Sequence, residues 1–283
     1  MKFFDVRKFN KIAVIIRWCV AVVVGAVFLA FEIDKIFKDE EYSFLLRLPS
    51  FFGLFCVLLL VLTVLQIVFN VIITKKYNKT VIPLLNDRCD PRAFAEAQLP
   101  YMEMKFASPV YKCNYALGLW LSGEHQRAGA LYDEILYSKL YEKQPPLLQA
   151  VILMNKLTLE LETYNNVDEV AAMLARAIEL TDKIPAKLAQ YKAVKDQLDN
   201  LMSDIAFARG EYDDSYEKRN LEKLECAEHN YRRSDCVYSL AKYYRKTGDR
   251  RKFAMYAKEY ISKYGGMLYA TMLKAWLEED GIN

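Results

Sequence analysis

Glycine and proline are scarce in this 283-residue chain, at 10 and 8 residues, which argues against long flexible linkers. Histidine is scarcer, with only His125 and His229. There is no CxxC pair, and the six cysteines (Cys19, Cys56, Cys89, Cys113, Cys226 and Cys236) form no compact framework. They read as small hydrophobes in a reducing compartment. No GxSxG, HExxH, Walker A or GxGxxG motif occurs. His229 lies near Cys226, Glu228 and Cys236, but without the paired spacing of a structural zinc site. The sequence therefore predicts no catalytic residue, no metal, no cofactor and no small-molecule substrate, and the expectation is a protein that is not an enzyme.

An excess of either charge is also missing. Residues 1–74 carry eight Lys/Arg and six Asp/Glu, and residues 75–283 carry 31 and 30. A domain so near neutrality has no global field to draw in nucleic acid, and none is expected as a partner. A local basic patch at Arg245, Lys246, Arg250, Arg251 and Lys252 reads as an ordinary charged turn, or as a site for an acidic partner.

What is present in quantity is apolar. Ile12–Phe31 is interrupted only by Arg17, and Phe51–Ile73 carries no charge. A bilayer-spanning helix needs about 20 such residues. The reading is a membrane anchor over 1–79, with transmembrane helices at about 12–31 and 51–73 and Arg17 snorkelling toward the surface. A cleaved signal peptide is the alternative for the first run, but Glu32–Ile33–Asp34 makes a poor cleavage site. Lys2, Arg7, Lys8 and Lys11 precede the first run, and Lys75, Lys76 and Lys79 follow the second. The positive-inside rule places both termini and the C-terminal domain in the cytoplasm, with 32–50 as a short external loop. The compact two-span layout suggests a bacterial plasma membrane. Ala21 with Gly25, and Ala26 with Ala30, are small residues four apart, a spacing that lets membrane helices approach closely. Ordinary membrane-helix composition accounts for them equally.

Residues 80–283 show no alternating strand pattern and read as all-α. Asp90–Pro91 is a helix start, and the helix is expected to run to about Phe106 with a kink at Pro100. Helical patterns continue over 109–122, 125–139, 146–162, 167–182, 186–209, 213–228, 234–247, 250–264 and 267–279. Gly123, Asn165–Asn166, Pro185, Gly210, Gly248 and Gly265–Gly266 punctuate them. Asn166 and Glu169 have capping-box spacing. The turn points recur at roughly 40-residue intervals, as in a solenoid of antiparallel helix pairs.

In this region the sequence resembles the tetratricopeptide repeat family. Segment 109–136 carries Tyr115, Ala116 and Leu119, then Gly123, then Ala128 and Tyr132. Segment 234–264 carries Val237, Leu240, Ala241, Tyr244 and Gly248, but has Phe253 where a small residue is usual. Segment 196–223 carries Met202, Ser203, Ala206, Gly210 and Ser215, with Arg219 in place of an aromatic. The pair 146–182 has no glycine at its turn.

The resemblance implies a concave groove lined by Leu117, Trp120, Asn200, Asp204, Phe207, Tyr238, Lys242 and Arg245. The alternative is that Leu117, Trp120 and Phe207 are buried between helices. An aromatic and basic groove suits a peptide with apolar and acidic side chains. Cys113 and Leu117 replace two residues of the family's carboxylate clamp, so that activity is not expected. The functional expectation is a membrane-anchored scaffold or adaptor for a protein or peptide partner. The alternative is an accessory subunit of a transport, secretion or signalling complex, acting through the transmembrane hairpin.

Overall fold

The computed structural model describes residues 6–38, 48–104, 108–211 and 214–282. All regular structure among them is helical. The chain divides into two units, 1–80 and 81–283.

The first unit is a pair of 33-residue helices, α1 (Val6–Lys38) and α2 (Leu48–Thr80). Each is about 50 Å long at 1.5 Å per residue, and both are long and apolar enough to cross a membrane. Residues 39–47 of the connecting segment lie outside the described residues. The two helices meet along stripes spaced by four residues. Phe9, Ala13 and Arg17 of α1 share a face, as do Phe69, Ile73 and Tyr77 of α2. The Phe9 and Phe69 rings meet edge-on at 5.7 Å, and the Arg17 guanidinium lies 5.6 Å from the Phe69 ring centroid. Elsewhere large apolar side chains point outward, with Trp18 69% and Leu60 66% exposed. In water that would be costly, whereas in a bilayer it is the ordinary state.

Ala21 and Gly25 continue the stripe of Ala13 and Arg17 at the same four-residue spacing. Ala21 and Gly25 are half-buried, Ala26 is exposed, and a Cβ added at Gly25 would meet nothing within 4 Å. The side chain of Ala30 lies outside the described residues.

The second unit begins with the short α3 (Ile82–Asn86) and α4 (Pro91–Met102). Asp90 caps α4, its carboxylate accepting from the Ala93 amide at 2.9 Å. The sequence pattern runs on toward 106, but the helix stops two residues after Pro100, which has no N–H to donate. There follow α5 (Pro109–Leu121), α6 (His125–Leu136), α7 (Lys139–Glu142) and α8 (Pro146–Leu159). A π-helical turn, Glu160–Tyr164, extends α8. Then come α9 (Val167–Asp182), α10 (Tyr191–Ala208), α11 (Asp214–Glu225), α12 (Asn230–Thr247), α13 (Arg250–Lys263) and α14 (Leu268–Glu279).

Turns end where the punctuation lies. Gly123 and Gly248 adopt φ of +96° and +83°, the left-handed conformation that glycine takes without strain. The turn that lacks glycine solves the same problem with Asn165, at φ +54°. Asn166 does not form a capping box. Its side chain makes no cap hydrogen bond and instead donates to Glu160 Oε2 at 2.8 Å.

Consecutive helices pack on one another, and the row also returns on itself. α14 touches α5, and α12 touches α3. Asn230 Nδ2 donates to the Asp87 carbonyl at 2.6 Å across this junction. Leu273 and Leu277 of α14 are buried. A central apolar cluster joins α8, α9 and α10 through Leu153, Met154, Leu157, Val170, Ala177, Leu198 and Ile205. Each large side chain there contributes about 1.5–3 kcal/mol over its exposed state.

α5 packs closely on α4 at Gly118. A Cβ there would stand 2.8 Å from Ala95 Cβ and 2.9 Å from the Pro91 carbonyl oxygen. The second of these is backbone and cannot rotate away. Gly118→Ala is therefore expected to destabilise the domain by about 1–3 kcal/mol despite alanine's higher helix propensity. Denaturant unfolding followed by circular dichroism checks this, and an unchanged or raised midpoint would refute it.

Candidate functional site

α5, α8, α10, α11, α12 and α14 surround a cavity of 680 Å³. Its apolar wall includes Leu117, Trp120, Leu147, Val151 and Met267. Its polar wall includes Asn155, Gln197, Asn200 and Ser234, with the charged groups Asp196, Asp204, Asp235, Lys223 and Arg232. The amides are organised. Gln197 Nε2 donates to Asn155 Oδ1 at 2.8 Å, and Asn155 Nδ2 points at Cys113 Sγ at 3.6 Å. A smaller and more open cleft of 420 Å³ lies at the turn between α10 and α11, around Gly210 and Arg219.

The cavity is braced by the π-helical turn. Glu162 on that turn is nearly buried, its side chain only 8% exposed. It accepts from Lys242 Nζ at 2.7 Å and from the Tyr238 hydroxyl at 3.2 Å, both on α12. One residue on, the Thr163 hydroxyl accepts from Trp120 Nε1 of α5 at 3.2 Å. Lys156 of α8 closes the base of the turn on Glu160 at 2.8 Å. One turn thus ties α5, α8 and α12 together. Lys242 also lies 5.3 Å from the Phe207 ring centroid, a cation–π contact with α10.

The carboxylates here are under electrostatic stress. Burial pushes Asp204 up to about 7, and Glu162 and Asp235 add to the rise; Lys242 and the Tyr216 hydroxyl, 3.2 Å away, oppose it. Asp235 still meets solvent in the cavity, yet desolvation by the surrounding walls raises it to about 6, and Glu162 contributes. Burial alone would lower Lys242, but the Glu162 and Asp204 carboxylates outweigh it and its pKa is raised. Burial lowers Lys223, whose ammonium is held by the Asn200 side-chain oxygen.

Of the eight residues placed in a groove by sequence, Leu117, Trp120, Asn200 and Asp204 line this cavity. Trp120 does so from a buried position. Phe207 and Tyr238 are buried at 1% and 3% exposure, and with Lys242 they form the layer around Glu162. Arg245 is elsewhere. Its Nε donates to Asp280 Oδ2 at 3.0 Å, its Nη2 to Glu279 Oε2 at 2.7 Å, and its guanidinium lies 4.8 Å from the Trp276 ring centroid. It clamps the end of α14. Lys252 of the same basic patch pairs with Glu217 at 3.3 Å, and Arg250 reaches the Asp280 carbonyl.

Sequence reasoning missed Asn155, Gln197, Lys223, Tyr231 and Asp235. A signal for the last two existed. Tyr231, Asp235, Tyr238, Lys242 and Arg245 recur at i, i+4, i+7, i+11 and i+14, one helical stripe. Starting the helix at 234 rather than 230 hid its first member.

No family model matches the chain, and no curated protein or solved structure is detectably similar to it.

Two outcomes follow from the Glu162 network. Glu162→Leu leaves Lys242 enclosed without its partner and is expected to cost about 3–5 kcal/mol, while Glu162→Leu with Lys242→Met is expected to cost less than either single change. Chemical denaturation of the four proteins tests this, and simple additivity would refute it. Asp204 titrates higher in the folded chain than unfolded, so its stabilising contribution is present below pH 4 and lost as pH rises through about 7. Asp204→Asn is accordingly expected to raise the unfolding midpoint at pH 8 and to leave it nearly unchanged at pH 4.

Proposed function

We propose that this protein is a membrane-tethered interaction module whose helical domain takes a segment of a partner protein into its central cavity. The observation that carries the reading is the 680 Å³ concavity, walled by six helices and lined by both apolar and polar groups. Two apolar helices on the same chain supply the tether. The consecutive packed helices, with Ala116, Ala128, Tyr132, Leu240 and Ala241 buried at their crossings, support a tetratricopeptide-like solenoid. Tethering raises the effective concentration for partners at the same membrane. The reading keeps both termini and the helical domain in the cytoplasm, with a bacterial plasma membrane as the setting.

A second reading, action through the transmembrane hairpin, draws on one feature of α2. Gln66 Nε2 donates to Asn70 Oδ1 at 2.8 Å, and Asn70 is exposed on the helix surface. Amides facing lipid favour a helix partner that can use their remaining donors and acceptors.

The test is cross-linking of the tagged full-length chain in native membranes, followed by identification of captured proteins. Ala193 is exposed on α10 and lines the cavity. Ala193→Trp is expected to fill the cavity and reduce capture at least ten-fold, with helicity unchanged. Loss on Gln66→Leu with Asn70→Leu, and not on Ala193→Trp, would favour the hairpin instead. Topology is checked with the native thiols: Cys226 is exposed, while Cys89, Cys113 and Cys236 are buried and raised to about 11 by burial. A membrane-impermeant thiol reagent is expected to label Cys226 only after permeabilisation, and Ser43→Cys without it. Labelling of Cys226 in intact cells would move the domain to the other side.

A further inference from the structure

The charge of the segment that enters the cavity follows from which groups in its wall are already matched. The sequence led to an acidic segment, on the strength of Lys242 and Arg245. The structure gives both cations carboxylate partners of their own. Lys242 is held on Glu162 at 2.7 Å, and Arg245 on Asp280 and Glu279. Lys223 is held on the Asn200 amide oxygen. Among the described residues, no cation stands within ion-pair distance of Asp204 or Asp235, both of which line the cavity. Asp235 has no hydrogen-bond partner among them either. Lys223 and the exposed Arg232 give the wall two positive charges, against three carboxylates at Asp196, Asp204 and Asp235.

Resting on the interaction-module reading, we propose that the cavity recognises a basic segment, seating a lysine or arginine side chain on Asp235 and Asp204 with its aliphatic stem against Leu117 and Trp120. A long cationic side chain matches this wall in two ways. Its methylenes pack on apolar surface while its head reaches a carboxylate. Arginine adds bidentate geometry toward a carboxylate and stacks on aromatic faces. An acidic segment would instead add a negative charge to a wall whose carboxylates already repel one another. The raised affinity of Asp204 and Asp235 for protons points the same way, since a bound cation relieves the stress that produces it.

The experiment uses the full-length chain in zwitterionic detergent micelles, with empty micelles subtracted. Three fluorescein-labelled dodecapeptides of alternating leucine and arginine, glutamate or glutamine are titrated by anisotropy. The arginine peptide is expected to bind at least ten-fold more tightly than the glutamate peptide. Asp235→Asn is the primary variant, because that carboxylate supports no described contact. It is expected to bring arginine-peptide affinity at least five-fold closer to the glutamine peptide, and Asp204→Asn in addition to bring it level. Circular dichroism confirms that the variants are folded. Equal or tighter binding of the glutamate peptide would overturn the proposal. So would arginine-peptide binding that ignores both substitutions, or no binding of any of the three. If Ala193→Trp still abolishes partner capture in membranes, the module reading survives such a result and only the charge assignment falls.

Discussion

The helical domain depends on one buried ion pair made across eighty residues of sequence. Glu162 and Lys242 meet at 2.7 Å with side chains only 8% and 16% exposed. Removing two charges from water is costly, and their mutual attraction offsets that cost only when the remaining hydrogen-bonding capacity is also met. Here Tyr238 supplies a second donor to the carboxylate, and the Phe207 ring lies beneath the ammonium. The pair sits on a π-helical turn, a rare form that often marks functional sites. Widening the last turn of α8 puts Glu162 toward α12 and Thr163 toward Trp120 of α5. The cavity walls are positioned by this turn, and its charge arrangement sets the electrostatics of the carboxylates that line the space.

Much of the architecture was legible in the amino-acid pattern, because it depends on local signals. The two apolar runs are continuous, and both lie within single helices. Gly123 and Gly248 stand at left-handed turns, and Asp90–Pro91 starts a helix as its chemistry requires. The site was legible in part. Leu117, Trp120, Asn200 and Asp204, four of the eight residues named from the sequence, line the cavity. Two assignments changed because the side chain finds another partner. Arg245 is turned toward Asp280 and Glu279, thirty-five and thirty-four positions away. Asn166 gives up its capping role for a bond to Glu160. No local pattern reports which of several nearby charges a lysine will find, and that choice decided the sign of the unmatched wall.

The hairpin presents a different balance. Among the described residues its buried positions fall on one stripe of each helix, and large apolar side chains elsewhere are exposed. Within that surface the polar groups handle themselves locally: Thr63 donates back to the Leu59 carbonyl, and Gln66 to Asn70. Such self-satisfaction lowers the cost of polar groups in hydrocarbon without eliminating it.

The return of α12 onto α3 and of α14 onto α5 has a consequence in time. A chain emerging from a ribosome completes α1, α2 and the first helices of the second unit long before residues 230–279 exist. Until then the faces of α3 and α5 that those last helices cover stay bare. Most helix pairs in the row can form as they appear, because their contacts are local. Closure cannot, and it waits for the final fifty residues. Biogenesis is thus vulnerable at its end, and a premature stop near residue 266 would remove only α14 and leave its face on α5 uncovered, although α12 could still meet α3.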